Sequence, residues 1–216
     1  MYHIAKGGLL LKLRFAILAV ILCTAAVFLS LEDKFTPVYQ NEASFLPVAD
    51  SSVSDGGRRI EVTFNYQRQK GAGSNQFAVW IEDVQGNLVK TLAVTQYTST
   101  GGWRLRKSSL SHWQEIADPL HMTMKEIDAV SGATPRQSGT YRVIWDFTDQ
   151  DGKTVPDGEY ICKLEAALFF TSYALYEGSF PAADEDAVIR PAPQYSYEKS
   201  SYKDMIGQVE MAYYPE

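Results

Sequence analysis

From Arg59 to Tyr66 apolar and polar residues alternate without a break, with Ile60, Val62, Phe64 and Tyr66 on one side of the chain. A period of two marks a strand with one face on a core and the other in water. Gln76 to Glu82 and Leu88 to Val94 predict two more strands, and Asp83-Val84-Gln85-Gly86-Asn87 between them supplies a hairpin turn. After Tyr97 the alternation stops. Ser108 to Ile116 offers serines as N-caps and apolar residues at 110, 113 and 116, the spacing of a short helix that ends before Pro119. Thr140 to Asp146 and Glu159 to Ala166 again read as strands, separated by turns at Asp149-Gln150-Asp151-Gly152 and Pro156-Asp157-Gly158. Thr171 to Phe180 and Gln208 to Tyr214 complete the set.

Residues 1–33 follow another pattern. Lys6, Lys12 and Arg14 precede an apolar run from Phe15 to Leu31, interrupted only by Thr24 and Ser30 and followed by Glu32 and Asp33. Basic residues before an apolar stretch mark an export signal whose basic end stays in the cytoplasm. The run holds 17 residues, at the lower limit of roughly 17 to 25 for a spanning helix. Leu9 to Leu13 extend it, so residues 9–31 are expected to enter the membrane as an N-terminal transmembrane helix. The small residues Thr24-Ala25-Ala26 lie inside the apolar run rather than after it, which favours an uncleaved single-pass anchor over a cleaved signal peptide. Cys23 follows Leu22, where lipid attachment needs a small residue. Residues 34–57, rich in Ser, Asp, Pro and Gly, read as a linker, and residues 58–216 as the folded domain.

Beyond position 31 the chain carries 17 basic against 26 acidic residues, a formal charge of −9, which argues against a nucleic-acid partner. The other cysteine, Cys162, lies in a strand-like run and reads as a small buried apolar residue, so no internal disulfide is expected. Many short strands with turn signals and one short helix predict an all-β fold, an immunoglobulin-like β-sandwich. The stretch Gly139 to Glu165, with Trp145-Asp146, Asp149, Asp151-Gly152, Val155-Pro156 and Gly158-Glu159-Tyr160, resembles the sandwich domain of the flagellar hook-capping protein.

One stretch, expected in a loop after the short helix, asks for a chemical explanation: Asp128-Ala129-Val130-Ser131-Gly132-Ala133-Thr134. Gly132 frees the backbone and, with Ala133, clears the approach to the Thr134 hydroxyl. Asp128 is a candidate to orient that hydroxyl or to accept its proton. Pro135 biases Thr134 toward an extended backbone that presents its side chain. The same residues also suit a purely structural turn, with Ser131-Gly132-Ala133 leading tightly into the next strand and Asp128 bonding backbone amides as an Asx turn.

The run resembles the Asp-x-x-Ser/Thr-Gly-Ala-Thr signature of extracytoplasmic flavoproteins, and all five fixed positions match. The resemblance implies that a separate flavin transferase esterifies Thr134 with FMN, the hydroxyl attacking the pyrophosphate of FAD. The domain would then relay electrons for membrane redox proteins. Lys125, Arg136 and Arg142 are close enough in sequence to contact a phosphate, and Trp103, Trp113 and Tyr141 are candidates to stack on the ring system.

From about Ile60 to Tyr213 the chain also resembles a family of predicted periplasmic proteins catalogued as domain of unknown function 2271. Val79-Trp80-Ile81, Leu110 with Trp113, Asp128 through Thr134, Tyr141 with Trp145-Asp146, and Gly158 with Tyr160 carry this likeness. The family implies an extracytoplasmic location and a fold, and supplies no activity. The residue after the threonine is often basic there; here it is Pro135, followed by Arg136.

Other constellations fail. A calcium loop around Asp149-Gln150-Asp151-Gly152 would begin at Phe147 and end at Gly158, where carboxylates are required. His112 and His121 lack a third partner at metal-ligand spacing, and no Gly-x-Ser-x-Gly elbow exists. Tyr195, Tyr197 and Tyr202 are expected to wrap the sandwich surface. The leading expectation is a membrane-anchored electron carrier rather than a stand-alone enzyme. Its rivals are a cofactor-free envelope adaptor or scaffold that binds through edge strands or the Tyr-rich tail, and a carbohydrate-binding sandwich.

Overall fold

In chain order the elements are β1 (Arg59–Tyr66), β2 (Gln76–Asp83), β3 (Leu88–Thr95), α1 (Ser111–Ala117), α2 (Met124–Val130), β4 (Ser131–Gly132), β5 (Gly139–Trp145), β6 (Tyr160–Ala167), β7 (Ala174–Phe180), β8 (Ala187–Ile189), β9 (Gln194–Tyr195) and β10 (Ile206–Tyr214). They come from a computed structural model that describes residues 57–70, 75–96, 101–102, 109–132, 136–167, 172–196 and 205–215. The anchor assigned to residues 9–31 and nearly all of the 34–57 linker lie outside the described residues, as do Trp103, Tyr197 and Tyr202. Among the described residues no helix is long and apolar enough to cross a membrane.

The strands form two sheets, β5-β1-β10-β8 and β4-β3-β2-β6-β7-β9. In β1 the alternation does what it predicts, burying Ile60, Val62, Phe64 and Tyr66. These side chains meet Phe77, Val79 and Ile81 of β2 and Cys162 and Leu164 of β6 in a core shared by both sheets, the arrangement of an all-β sandwich. Cys162 is fully buried, and burial pushes its thiol well above the ordinary range. Two loop expectations hold. Asp83 closes the β2–β3 hairpin by accepting the amides of Gln85 and Asn87, and Asp149 accepts those of Asp151 and Lys153 at 2.9 Å.

The helical part differs from the expectation of one short helix. Among the described residues there are two, and both cover the outer face of the six-stranded sheet, where Ala78, Trp80, Leu110, Trp113, Val130 and Leu175 make a second apolar cluster. β2 is therefore buried on both faces. No serine caps α1: its N-cap is Leu110, in the left-handed region at φ 56°, without a side-chain hydrogen bond. α2 begins with a capping box, the Thr123 side chain accepting from the Glu126 amide while the Glu126 carboxylate accepts from the Thr123 amide at 2.6 Å.

A buried carboxylate holds α1 to the sheet. Glu165 on β6 has 0% exposure, accepts the Trp113 amide through Oε2 at 3.1 Å and lies 3.1 Å from His112 Nδ1 through Oε1. Hydrogen bonding to Glu165 raises the His112 imidazole above its ordinary value of 6.5, with burial and Lys163 opposing and Glu115 assisting. A raised folded value stabilises the protein fully below the unfolded value and ceases to do so as pH rises through the folded one. The urea midpoint of wild type relative to His112→Gln should therefore shrink between about pH 5 and about pH 8. A difference that stays constant over this range contradicts the latch.

Candidate functional site

Asp128 to Gly132, the described part of the motif, do not form the expected loop. Asp128, Ala129 and Val130 form the last turn of α2, docked on the sheet through buried Ile127 and Val130, while Asp128 stays exposed. Ser131 and Gly132 are β4, an edge strand that pairs in parallel with β3, Ser131 beside Val94 and Gly132 beside Thr95. Both are half-buried. Ala133, Thr134 and Pro135 lie outside the described residues. The chain returns at Arg136, which is exposed, and enters β5 at Gly139.

Asp128 is exposed on the last turn of α2. Arg142 is committed elsewhere. Its Nε donates to Glu61 Oε2 at 2.8 Å, and Arg142 with Arg59 more than offsets the effect of burial on Glu61, holding that carboxyl below its usual range. Trp113 is fully buried beneath α1 with its indole N–H donated to Thr91 Oγ1 at 3.1 Å, so it cannot meet a ring at the surface. Tyr141 belongs to the core end, with ring centroids 5.9 Å from Phe64 and 5.7 Å from Tyr66. Its hydroxyl donates to the Gln137 carbonyl at 3.1 Å, so it braces the segment that follows the motif. Lys125 is exposed near the start of α2.

Sequence reasoning missed Arg68. β1 and β5 pair up to Tyr66 opposite Gly139, and just beyond that pair the Arg68 amide donates to Ser138 Oγ at 2.9 Å. This places Arg68 beside the stretch leading out of the motif, a neighbourhood set by strand register rather than by sequence proximity. His121 lies 2.6 Å from Asp118 at the surface, and no three His, Cys, Asp or Glu side chains gather into a metal site among the described residues.

Comparison with known proteins gives a family match. The sequence model of the family described as "Predicted periplasmic protein (DUF2271)" matches residues 57–196, which contain every element from β1 to β9 and the Asp128–Thr134 run. No curated protein and no solved structure matches the chain.

Proposed function

The chain belongs to this family of predicted periplasmic proteins, and from that premise we propose that its domain carries FMN covalently on Thr134 as an extracytoplasmic electron carrier. The observation that supports this reading best is the path of the chain around the threonine. It leaves from the outermost strand of a sheet and returns at an exposed arginine, which suits a hydroxyl that an outside enzyme must reach. The Thr134 oxygen takes the flavin-side phosphoryl group of FAD in a flavin transferase. The pyrophosphate bond breaks, AMP leaves, and the hydroxyl proton passes to a base. Bound there, FMN supplies one- and two-electron transfer. Ser131, Gly132 and Ala133 lead to the attachment point with small side chains, and Asp128 lies in the last turn of the helix in front of them. A covalent link suits a compartment in which a dissociated cofactor would be lost by dilution.

Residues 9–31 would hold the domain at the membrane near redox partners, with residues 34–57 as the tether. We read the sandwich as immunoglobulin-like. The test is co-expression of the full chain with a flavin transferase, followed by a denaturing gel viewed under ultraviolet light. A fluorescent band at the mass of the chain is expected. A dark band overturns the flavin reading in favour of a cofactor-free envelope adaptor.

A further inference from the structure

The turn between α1 and α2 brings one imidazole and two thioethers together within four residues, His121 to Met124. Of the five methionines in the chain, Met205 and Met211 are buried in the core, as methionines ordinarily are. Met124 is instead 66% exposed, and Met122 is half-buried where the turn leans on the apolar cluster of the outer face. The His121 side chain is exposed as well.

Two local devices hold this group. The His121 amide donates to the Asp118 carbonyl at 3.0 Å, and His121 Nδ1 lies 2.6 Å from Asp118 Oδ2. With Nδ1 committed to the carboxylate, Nε2 is the ring nitrogen that offers its lone pair to a metal. Thr123, the residue between the two methionines, is extended at φ −71° and ψ 159° and is locked by its capping box with Glu126. Across it the Cα atoms of Met122 and Met124 are at most about 7 Å apart. Three rotatable bonds in each side chain let both sulfurs close on one ion.

We infer that this turn binds Cu(I), with His121 Nε2 and the Sδ atoms of Met122 and Met124 as ligands and Asp118 as the carboxylate that orients the imidazole. Thioether sulfur is soft and uncharged, which selects Cu(I) over the hard cations that take oxygen. Asp118 sets its negative charge behind the ring, where it strengthens the nitrogen as a ligand and offsets the charge of the ion. The ion adds to neutral donors, with no electron transferred and no proton released from them. The site needs neither flavin nor Thr134, and its exposure suits exchange of the ion with the surrounding solution.

The probe is Cu(I) itself, kept reduced by ascorbate and offered as its bicinchoninate complex to the full chain in a non-ionic detergent, without flavin loading. Loss of the visible absorbance of the chelate reports transfer to the protein. Wild type should take up copper. The double variant Met122→Leu, Met124→Leu keeps volume and apolarity and should lose that uptake while its urea midpoint stays at the wild-type value. Asp118→Asn should bind about tenfold more weakly or worse, and asparagine still suits the φ of 44° at that position. His121→Gln, at an exposed position, supplies the ligand comparison should the methionine variant misfold. Cys162 is buried, and Met1, His3 and Cys23 are the same in every variant, so a difference between variants reports the turn. Zn(II) in excess should leave the copper in place. A wild type that leaves all copper with the chelator, equal uptake by wild type and the methionine variant, or displacement by Zn(II) overturns the site. Equal uptake would leave Leu120, Met122 and Met124 as an apolar contact surface only.

Discussion

Thr134→Ala should carry no flavin at all after full exposure to a flavin transferase, while wild type is loaded. The expectation is all or none because a phosphodiester needs an oxygen on the side chain and alanine offers only a methyl group. Ser131 is the other hydroxyl in the motif and is half-buried on β4, paired with Val94 of β3. Thr134→Ser keeps the oxygen and should keep part of the loading. Ser131→Ala should reduce loading without abolishing it. In-gel fluorescence measures all three. Loading of Thr134→Ala at the wild-type level would assign the attachment elsewhere.

Trp145→Ala should lower stability by about 3 to 5 kcal/mol, a large part of the roughly 5 to 15 kcal/mol that holds an ordinary domain folded. The indole is fully buried. It stacks on Phe147 with centroids 4.2 Å apart and meets Tyr160 edge-on at 4.9 Å, and its N–H donates to the Thr148 carbonyl at 2.8 Å. Truncation leaves a cavity, strips that carbonyl of its donor, and removes one support of Phe147, whose backbone sits at φ 58° with the Arg58 guanidinium 3.9 Å from its ring. Urea unfolding followed by far-ultraviolet circular dichroism gives the loss; a midpoint unchanged from wild type would contradict the packing described. Thr134→Ala should leave the same midpoint in place, which separates attachment chemistry from folding.

Legibility in the sequence followed how many faces of an element are buried and how long it is. β1 was readable to its last residue because one face meets the core and the other meets water. β2 hides its alternation because α1 and α2 cover its second face, yet its β-branched and aromatic residues still marked a strand. α2 escaped notice although Thr123 and Glu126 carry the spacing of a capping box. Only Ile127 and Val130 of α2 are buried, a single apolar spacing from which no helical period emerges. β8 and β9, of three and two residues, are shorter than any period and follow from tertiary pairing alone. The serines before α1 were poor guides because Leu110, buried beneath the helix, takes the cap position.

The Asp128–Thr134 run could be picked out in the sequence because its residue types are consecutive. Its setting could not. The parallel pairing of Ser131 and Gly132 with β3 depends on where α2 docks, and the place of Arg68 depends on the register of β1 with β5. Arg142 looked as available as Arg136 until the same register brought Glu61 opposite Ile144 and within reach of its guanidinium.

Intact mass of the purified full chain, with and without Thr134→Ala, tests the central claim most directly. After co-expression with a flavin transferase the wild-type chain should be heavier by one FMN less one water, and Thr134→Ala should have only its unmodified mass. A wild-type chain at its unmodified mass, or an FMN increment that persists in Thr134→Ala, would contradict attachment at this threonine.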